Sequence, residues 1–255
     1  MQKISAIIIT KNEVLNIGRC LQSLLWVDEI VIFDSGSTDG TQEICKKITG
    51  AKLKLVETDW PGFGKQKNRA LDAATSEWIL SIDADEIISE ELKNEIKNIL
   101  SSSTIAFAAY KIPRQNFFQN RKLKYCLSSK DDAPIRLAQR KLAKFSDDIV
   151  HEKMLIDGSV GLLKSNIVHY PFRDLTELLN KANLYSTLGA QKMFAKNSKP
   201  SIASTLLHAI WAFCRLYFLK LGLLDGWPGF LIALANFEGT FYRYAKLIEL
   251  CDKSK

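Results

Sequence analysis

Three carboxylates, Asp83, Asp85 and Glu86, crowd the end of the apolar run Trp78-Ile79-Leu80-Ser81-Ile82. Such a cluster repels itself, so donors, water or a cation must compensate it. Hard oxygens spaced as Asp83-Ala84-Asp85 suit a divalent cation, Mg or Mn, shared with a diphosphate. A solvated strand-to-helix turn, with Ser89 capping the next helix, accounts for the same residues. A second cluster, Asp34-Ser35-Gly36-Ser37-Thr38-Asp39-Gly40-Thr41, follows another apolar run. It contains neither G-x-G-x-x-G nor G-K-[ST], so it indicates no dinucleotide site and no ATP-hydrolysing loop. A carboxylate there suits hydrogen bonding to a base or ribose. Helix-start chemistry is the simpler account, with Asp39 or Thr38 as N-cap and Gly36 and Gly40 making the bend. A third cluster is Lys11-Asn12-Glu13.

The elements that must position these clusters alternate. Short β-branched or apolar runs at 4–10, 29–34, 52–58 and 77–83 read as strands; the spacing at 13–25, 41–48 and 65–75 predicts helices. This order implies parallel strands with right-handed crossovers, an α/β sheet of the nucleotide-binding type. Ligands of such sheets lie beyond the carboxyl ends of the strands, so all three clusters would line one rim. Beyond residue 100 the pattern is irregular, with strands expected at 105–112, 142–146 and 166–170. From Asp174 to about Lys246 the chain reads as helical, starting with an Asp174/Glu177 capping box and broken near 199–200 and 226–229.

With 255 residues and nearly half of them apolar, the chain can bury a large core. Its net charge of +7 suits phosphate-bearing partners. No nucleic acid is expected among them. Five scattered cysteines without C-x-x-C spacing fit a reducing compartment. The short apolar run near Met1 is no export signal, so a cytoplasmic protein is expected.

In order, TKNE (10–13), DSGSTDGT (34–41), WPGFGKQKNRAL (60–71), ATSEWILSIDADE (74–86) and VHE (150–152) resemble the family 2 inverting glycosyltransferases of the GT-A fold. Within that family WPGFGKQKNRAL and VHE, with YKIPR (110–114), His169-Tyr170 and GLLDGWPGF (222–230), are similar to bacterial lipopolysaccharide core glucosyltransferases. The resemblance implies a GT-A catalytic domain over 1–172, its nucleotide-sugar half about 1–100 and its acceptor half about 101–172, followed by a helical region over 173–255. It implies that Glu13 and Asp34 contact the uracil and ribose of a UDP-sugar donor. Lys67 or Arg69 would lie near the nucleotide or its phosphates. Asp83 would serve the sugar site and Asp85 would be the direct metal ligand, with His169 a further candidate ligand. Inversion needs a base for the acceptor hydroxyl; Glu152 is the first choice and Asp131 or Asp132 the second. His151 and His208 read as structural.

The expected reaction is metal-dependent transfer of a hexose, glucose first among the candidates, to the inner core of a lipid-linked lipopolysaccharide precursor. Two other readings stay open: transfer to a polyprenyl phosphate or a protein, and a nucleotide-sugar-binding protein without catalysis. Between Lys181 and Leu224 there are six Lys or Arg and no acid, interleaved with aromatic and leucine residues. The uncharged run 201–214 there is 14 residues, short of the roughly 20 that span a bilayer. A peripheral contact with the cytoplasmic membrane face is therefore expected, and a homo-oligomer contact or internal packing is the alternative use of the same helices.

Overall fold

A computed structural model describes residues 2–129, 131–147, 152–198 and 200–253. Val150 and His151 of the VHE motif, and Lys199, lie outside the described residues.

Strands β1 (Ile4–Thr10), β2 (Glu29–Asp34), β3 (Leu53–Glu57) and β4 (Trp78–Ser81) are parallel, with β1 between β2 and β4. Helices α1 (Ile17–Gln22), α2 (Thr41–Thr49) and α3 (Phe63–Ala73) form the crossovers. A short β5 (Glu86–Ile88) follows, and then α4 (Glu90–Ser101), which Ser89 caps by accepting from the Leu92 amide. Next come β6 (Ala109–Lys111), β7 (Arg114–Phe118), β8 (Arg121–Lys122), β9 (Ile135–Gln139) and β10 (Ala143–Phe145). Strands β11 (Met154–Ile156), β12 (Val160–Leu162) and β13 (Ile167–Phe172) lead to helices α5 (Leu175–Phe194), α6 (Ile202–Cys214) and α7 (Trp227–Lys253).

The main sheet runs β12-β6-β9-β4-β1-β2-β3. It is not wholly parallel, because β9 lies antiparallel to both β4 and β6. Strands β1, β2 and β4 are buried on both faces, between a layer built on Leu21, Leu24, Leu92 and Ile96 and another built on Ala70, Leu71 and Phe145. That double burial is why they read as continuous apolar runs.

The chain forms two compact units, residues 1–115 with 129–169, and residues 116–128 with 170–255. The acceptor half expected over 101–172 is thus interrupted: residues 116–128 fold with the helices. The physical reason is local. Phe118, Leu123 and Cys126 are buried against Leu178, Leu216 and Ile232, and the Asp225 carboxylate accepts from the backbone amides of Lys124 (2.8 Å), Tyr125 (3.1 Å) and Cys126 (2.9 Å). The GLLDGWPGF segment therefore works as a clamp. Its glycines let two backbones cross, since a Cβ on Gly229 would lie 1.9 Å from the Gly222 carbonyl oxygen. Asp225→Ala is expected to destabilise this unit by about 2 kcal/mol, because of the three amides only that of Cys126 is shielded from replacement by water. Urea unfolding and limited proteolysis at 119–125 check it; unchanged protease resistance would show that the apolar contacts alone hold the segment.

The Asp174/Glu177 capping box forms only in part. Asp174 accepts from the Glu177 amide at 2.8 Å, but Glu177 turns to the Arg173 amide and guanidinium at 2.9 and 2.8 Å.

Candidate active site

The parallel register places Thr10 beside Asp34 at the carboxyl ends of β1 and β2. Asp34 is fully buried. It accepts from the Thr10 hydroxyl (2.8 Å), the Ser37 amide (2.8 Å) and hydroxyl (2.6 Å) and the Gln42 amide (2.8 Å). Burial alone would raise its carboxyl, but the Ser37, Thr10 and Gln42 donors hold it below the ordinary value. Asn12 ties the neighbouring loop to this one: its amide donates to Ser37 Oγ at 2.8 Å and its side chain accepts from the Thr38 amide at 2.9 Å. Asn12 adopts φ 56°, a left-handed conformation that asparagine tolerates better than most residues. Glu13 accepts from Asn16 at 2.9 Å, and its amide donates to Thr41 Oγ1 at 2.8 Å. Gly40, at φ 96°, is the N-cap of α2, and the Asp39 carboxylate accepts from the amides of Thr41 and Val14. The expected cap at Asp39 or Thr38 is thus displaced by one or two residues, while Asp39 still satisfies a helix-start amide.

Beyond β4 two of the three carboxylates, Asp83 and Glu86, are compensated by Arg136, Lys67 and Arg114. The Asp83 carboxylate meets the Arg136 guanidinium and, at 3.0 Å, the Lys67 ammonium. Glu86 is fully buried; it accepts from Arg136 at 2.7 Å, from Arg114 at 3.4 Å and from the Asp83 amide at 2.9 Å. Burial alone would raise the Asp83 carboxyl, but Arg136 and Lys67 hold it well below the usual carboxylate range. For Glu86 burial prevails: with Asp83 close by, Arg136, His169 and Arg114 do not fully offset it, and the carboxyl stays above its ordinary value.

Helix α3 brings the next charge. Gly64, Lys67 and Asn68 share one helical face by their i, i+3 and i+4 spacing. At Gly64 the helix lies so close to the chain after β10 that a Cβ would come within 1.9 Å of the Ser146 carbonyl oxygen. Asn68 exchanges two hydrogen bonds with the Phe145 backbone, at 2.9 and 2.8 Å. Lys67 is buried as a result, and its Nζ also donates to Glu152 Oε1 at 2.7 Å. Lys65 is exposed, and Arg69 points another way, to Asp59 (2.7 Å), Thr58 (3.1 Å) and Gln66 (3.2 Å). Of the Lys67 or Arg69 pair expected near the phosphates, Lys67 is the one beside Asp83.

Asp85 is approached by His169, whose Nε2 lies 3.6 Å from Oδ2. The antiparallel pairing of β5 with the start of β13, which sets His169 opposite Glu86, makes this approach. One imidazole nitrogen and one carboxylate oxygen at that separation could share a divalent cation, with further oxygens supplied by a diphosphate and water. The donor set therefore fits such an ion in part. Among the described residues no three His, Cys, Asp or Glu side chains converge on one metal-sized site.

The structure thus gathers Lys67, Asp83 and Glu152 in one contact chain and sets Asp85 beside His169. Glu13 and Asp34 lie at the ends of the neighbouring strands, and Arg69 lies on another face of α3. Asp132, an alternative base in the sequence reading, has both oxygens held by Arg114, at 2.6 and 2.9 Å; Asp131 is exposed. His208 lies on α6, its Nδ1 2.7 Å from the Ser204 carbonyl oxygen. Sequence reasoning missed Arg136 and Glu86 as a buried pair. The only signal was an unpaired surplus of carboxylates, which asked for a cation and did not say which one.

The comparisons agree with this architecture. Residues 5–156 match Glycosyl transferase family 2. An uncharacterized glycosyltransferase of Rickettsia felis is 33% identical over all of this chain and 93% of its own length. The lipopolysaccharide core biosynthesis glycosyltransferase LpsC of Rhizobium meliloti is 28% identical over 96% of this chain and 92% of its own. Among solved structures, S. aureus TarS 1–349 in complex with UDP-GlcNAc aligns with a TM-score of 0.51 at 17% identity, covering 99% of this chain and 92% of that one. The fold is therefore GT-A, and the chain belongs to glycosyl transferase family 2.

Proposed function

We propose that this glycosyltransferase inverts the anomeric centre of a UDP-hexose, glucose first among the candidates, and transfers the sugar to the inner core of a lipid-linked lipopolysaccharide precursor. The observation that carries the reading is Lys67, whose one ammonium joins Asp83 of the D-x-D turn to Glu152, 69 residues further along the chain. It sets a donor-side carboxylate and a base for the acceptor hydroxyl at neighbouring positions, as displacement from the opposite face of a sugar requires. The 28% identity to LpsC over nearly the whole chain supports the class of acceptor. That TarS holds UDP-GlcNAc supports a uridine nucleotide.

In this reading Glu152 takes the proton of the attacking hydroxyl, and Lys67 orients the carboxylate. Asp83, fixed by Arg136 and Lys67, accepts hydrogen bonds from the donor sugar. The Asp34 loop receives the nucleoside. Because Asp34 is buried and already accepts four bonds, contact with a ribose requires exchange of a neighbour such as Gln42. Asp85 and His169 would hold the Mg or Mn ion. When bound, such an ion neutralises the departing diphosphate.

A panel of UDP-sugars with purified lipid acceptor, read by product mass, tests donor and acceptor together. UDP release that requires acceptor supports transfer, whereas nucleotide-sugar binding without turnover on any acceptor would reduce the protein to a binder. Asp85→Ala is expected to abolish the divalent-cation dependence of UDP affinity, read by calorimetry with and without chelator. Parental turnover in that variant, or activity indifferent to EDTA, would remove the metal from the scheme.

A further inference from the structure

Helix α6 has two unlike sides. Thr205, Ala209, Ala212 and, in the π-helical turn Arg215–Leu219, Leu216 are buried against the helical unit's own core. At about 100° per residue they form one narrow stripe of mostly small side chains. Leu207, Ile210 and Trp211 lie on the opposite side, with Ile202 and Leu206 flanking, and Ile202, Leu207 and Trp211 are 74, 68 and 58% exposed. The face continues past the helix end. Phe213 contacts the rings of Phe218 and Phe230, which links α6 to the π turn and to the start of α7, and Leu219, Leu221 and Leu224 are exposed beside them. Exposed apolar patches of this kind mark interaction sites.

The charges around it show what fits it. Arg215, which opens the π turn, is exposed, and Lys220, which closes it, is half-exposed. Arg121, Lys122 and Lys124 are exposed on the 116–128 segment, with Arg121 lying over the Trp227 ring, 5.8 Å from its centroid. Between residues 181 and 237 the sequence holds one acid, Asp225, and its oxygens are engaged by three backbone amides. An exposed apolar face with tryptophans and a basic border, whose one acid is tied to backbone amides, matches the boundary of an anionic lipid layer.

We infer that this face docks in the plane of an anionic membrane, inserting Leu207, Ile210, Trp211 and Phe218 to the acyl boundary while Arg121, Arg215 and Lys220 meet the headgroups. The stretch Ile202–Leu219 is long and apolar enough to cross a bilayer by length and composition, and 22% of it is buried in the protein. It remains an in-plane element because its Thr205–Leu216 stripe is already covered by protein and Arg215 interrupts it. The proposal extends the reaction above by placing the enzyme on the surface where a lipid-linked acceptor resides, but its test uses neither donor nor acceptor, so the two stand or fall separately.

The full chain is co-sedimented with vesicles of phosphatidylcholine alone and of phosphatidylcholine containing phosphatidylglycerol. Binding is expected to the second and weakly to the first, falling at high salt. Leu207→Glu with Trp211→Glu, both exposed and so compatible with an unchanged melting curve, should lower partition by at least about tenfold, and Arg215→Glu with Lys220→Glu by a similar factor at physiological salt. Three results would overturn the inference. One is equal binding of parent and variants. Another is a parent dimer that the Trp211 variant splits while neither form binds vesicles, which would assign the face to a second copy. The last is retention in membranes through alkaline carbonate extraction, which would make the stretch a span.

Discussion

Glu152→Gln is expected to lower the transfer rate by about two to four orders of magnitude, the range for a positioned general base, with the donor KM unchanged. Glutamine keeps the shape of the side chain, and its carbonyl oxygen can still accept from Lys67, which now donates to Glu152 at 2.7 Å. What is lost is the capacity to take the acceptor proton. Asp132→Asn provides the control. Asp132 spends both oxygens on Arg114, so its loss should weaken the fold around Arg114 and spare the chemical step. A Glu152→Gln enzyme with near-parental rate, alongside an inactive Asp132→Asn, would move the base to Asp132.

Arg136→Met should cost about 3–5 kcal/mol of stability, the effect of stripping the partner from buried charges. Glu86 is fully buried and would keep Arg114 at 3.4 Å and the Asp83 amide at 2.9 Å, while Asp83 would keep Lys67. The pH dependence separates charge from packing. Asp83 has a depressed carboxyl in the folded protein, so its contribution is present above the unfolded value near 3.9 and is lost as pH falls through the folded one. Glu86 has a raised carboxyl, so its contribution is present below the unfolded value near 4.3 and is lost as pH rises through the folded one. Without Arg136 both carboxyls move up, and protonation relieves the variant more than the parent. The stability gap, read by urea unfolding, should therefore be widest near neutral pH and shrink on acidification. A gap that does not change with pH would assign the loss to the missing side-chain packing.

The same arginine marks where sequence reading ended. Strands β1, β2 and β4 were legible because burial on both faces leaves long apolar runs, and the parallel order followed from the helices between them. The Asp83-to-Glu86 turn was legible as a charge problem. Strand β9 was not, because Ile135-Arg136-Leu137-Ala138-Gln139 alternates poorly and a buried arginine looks like a solvent-facing one. Nor could local spacing show that β9 lies antiparallel beside β4, some 55 residues away, and so delivers Arg136 to Asp83. Lys67 was legible as basic but not as buried; that depends on Gly64 and Asn68 fixing α3 against β10. The segment 116–128 looked like part of the first unit, since nothing within it names Asp225 as its partner.

That last partnership sets an order of events during synthesis. The amides of Lys124, Tyr125 and Cys126 leave the ribosome about a hundred residues before the carboxylate that receives them. At about 5–20 residues per second the segment waits about 5 to 20 s for its clamp. At the start of that interval Phe118 and Leu123, fully buried in the finished protein, lack the α5 and α7 residues Leu178 and Ile232 that cover them. A nascent chain stalled soon after residue 170 would thus present the strands of the main sheet with a bare apolar loop, a form of this protein open to chaperones and proteases.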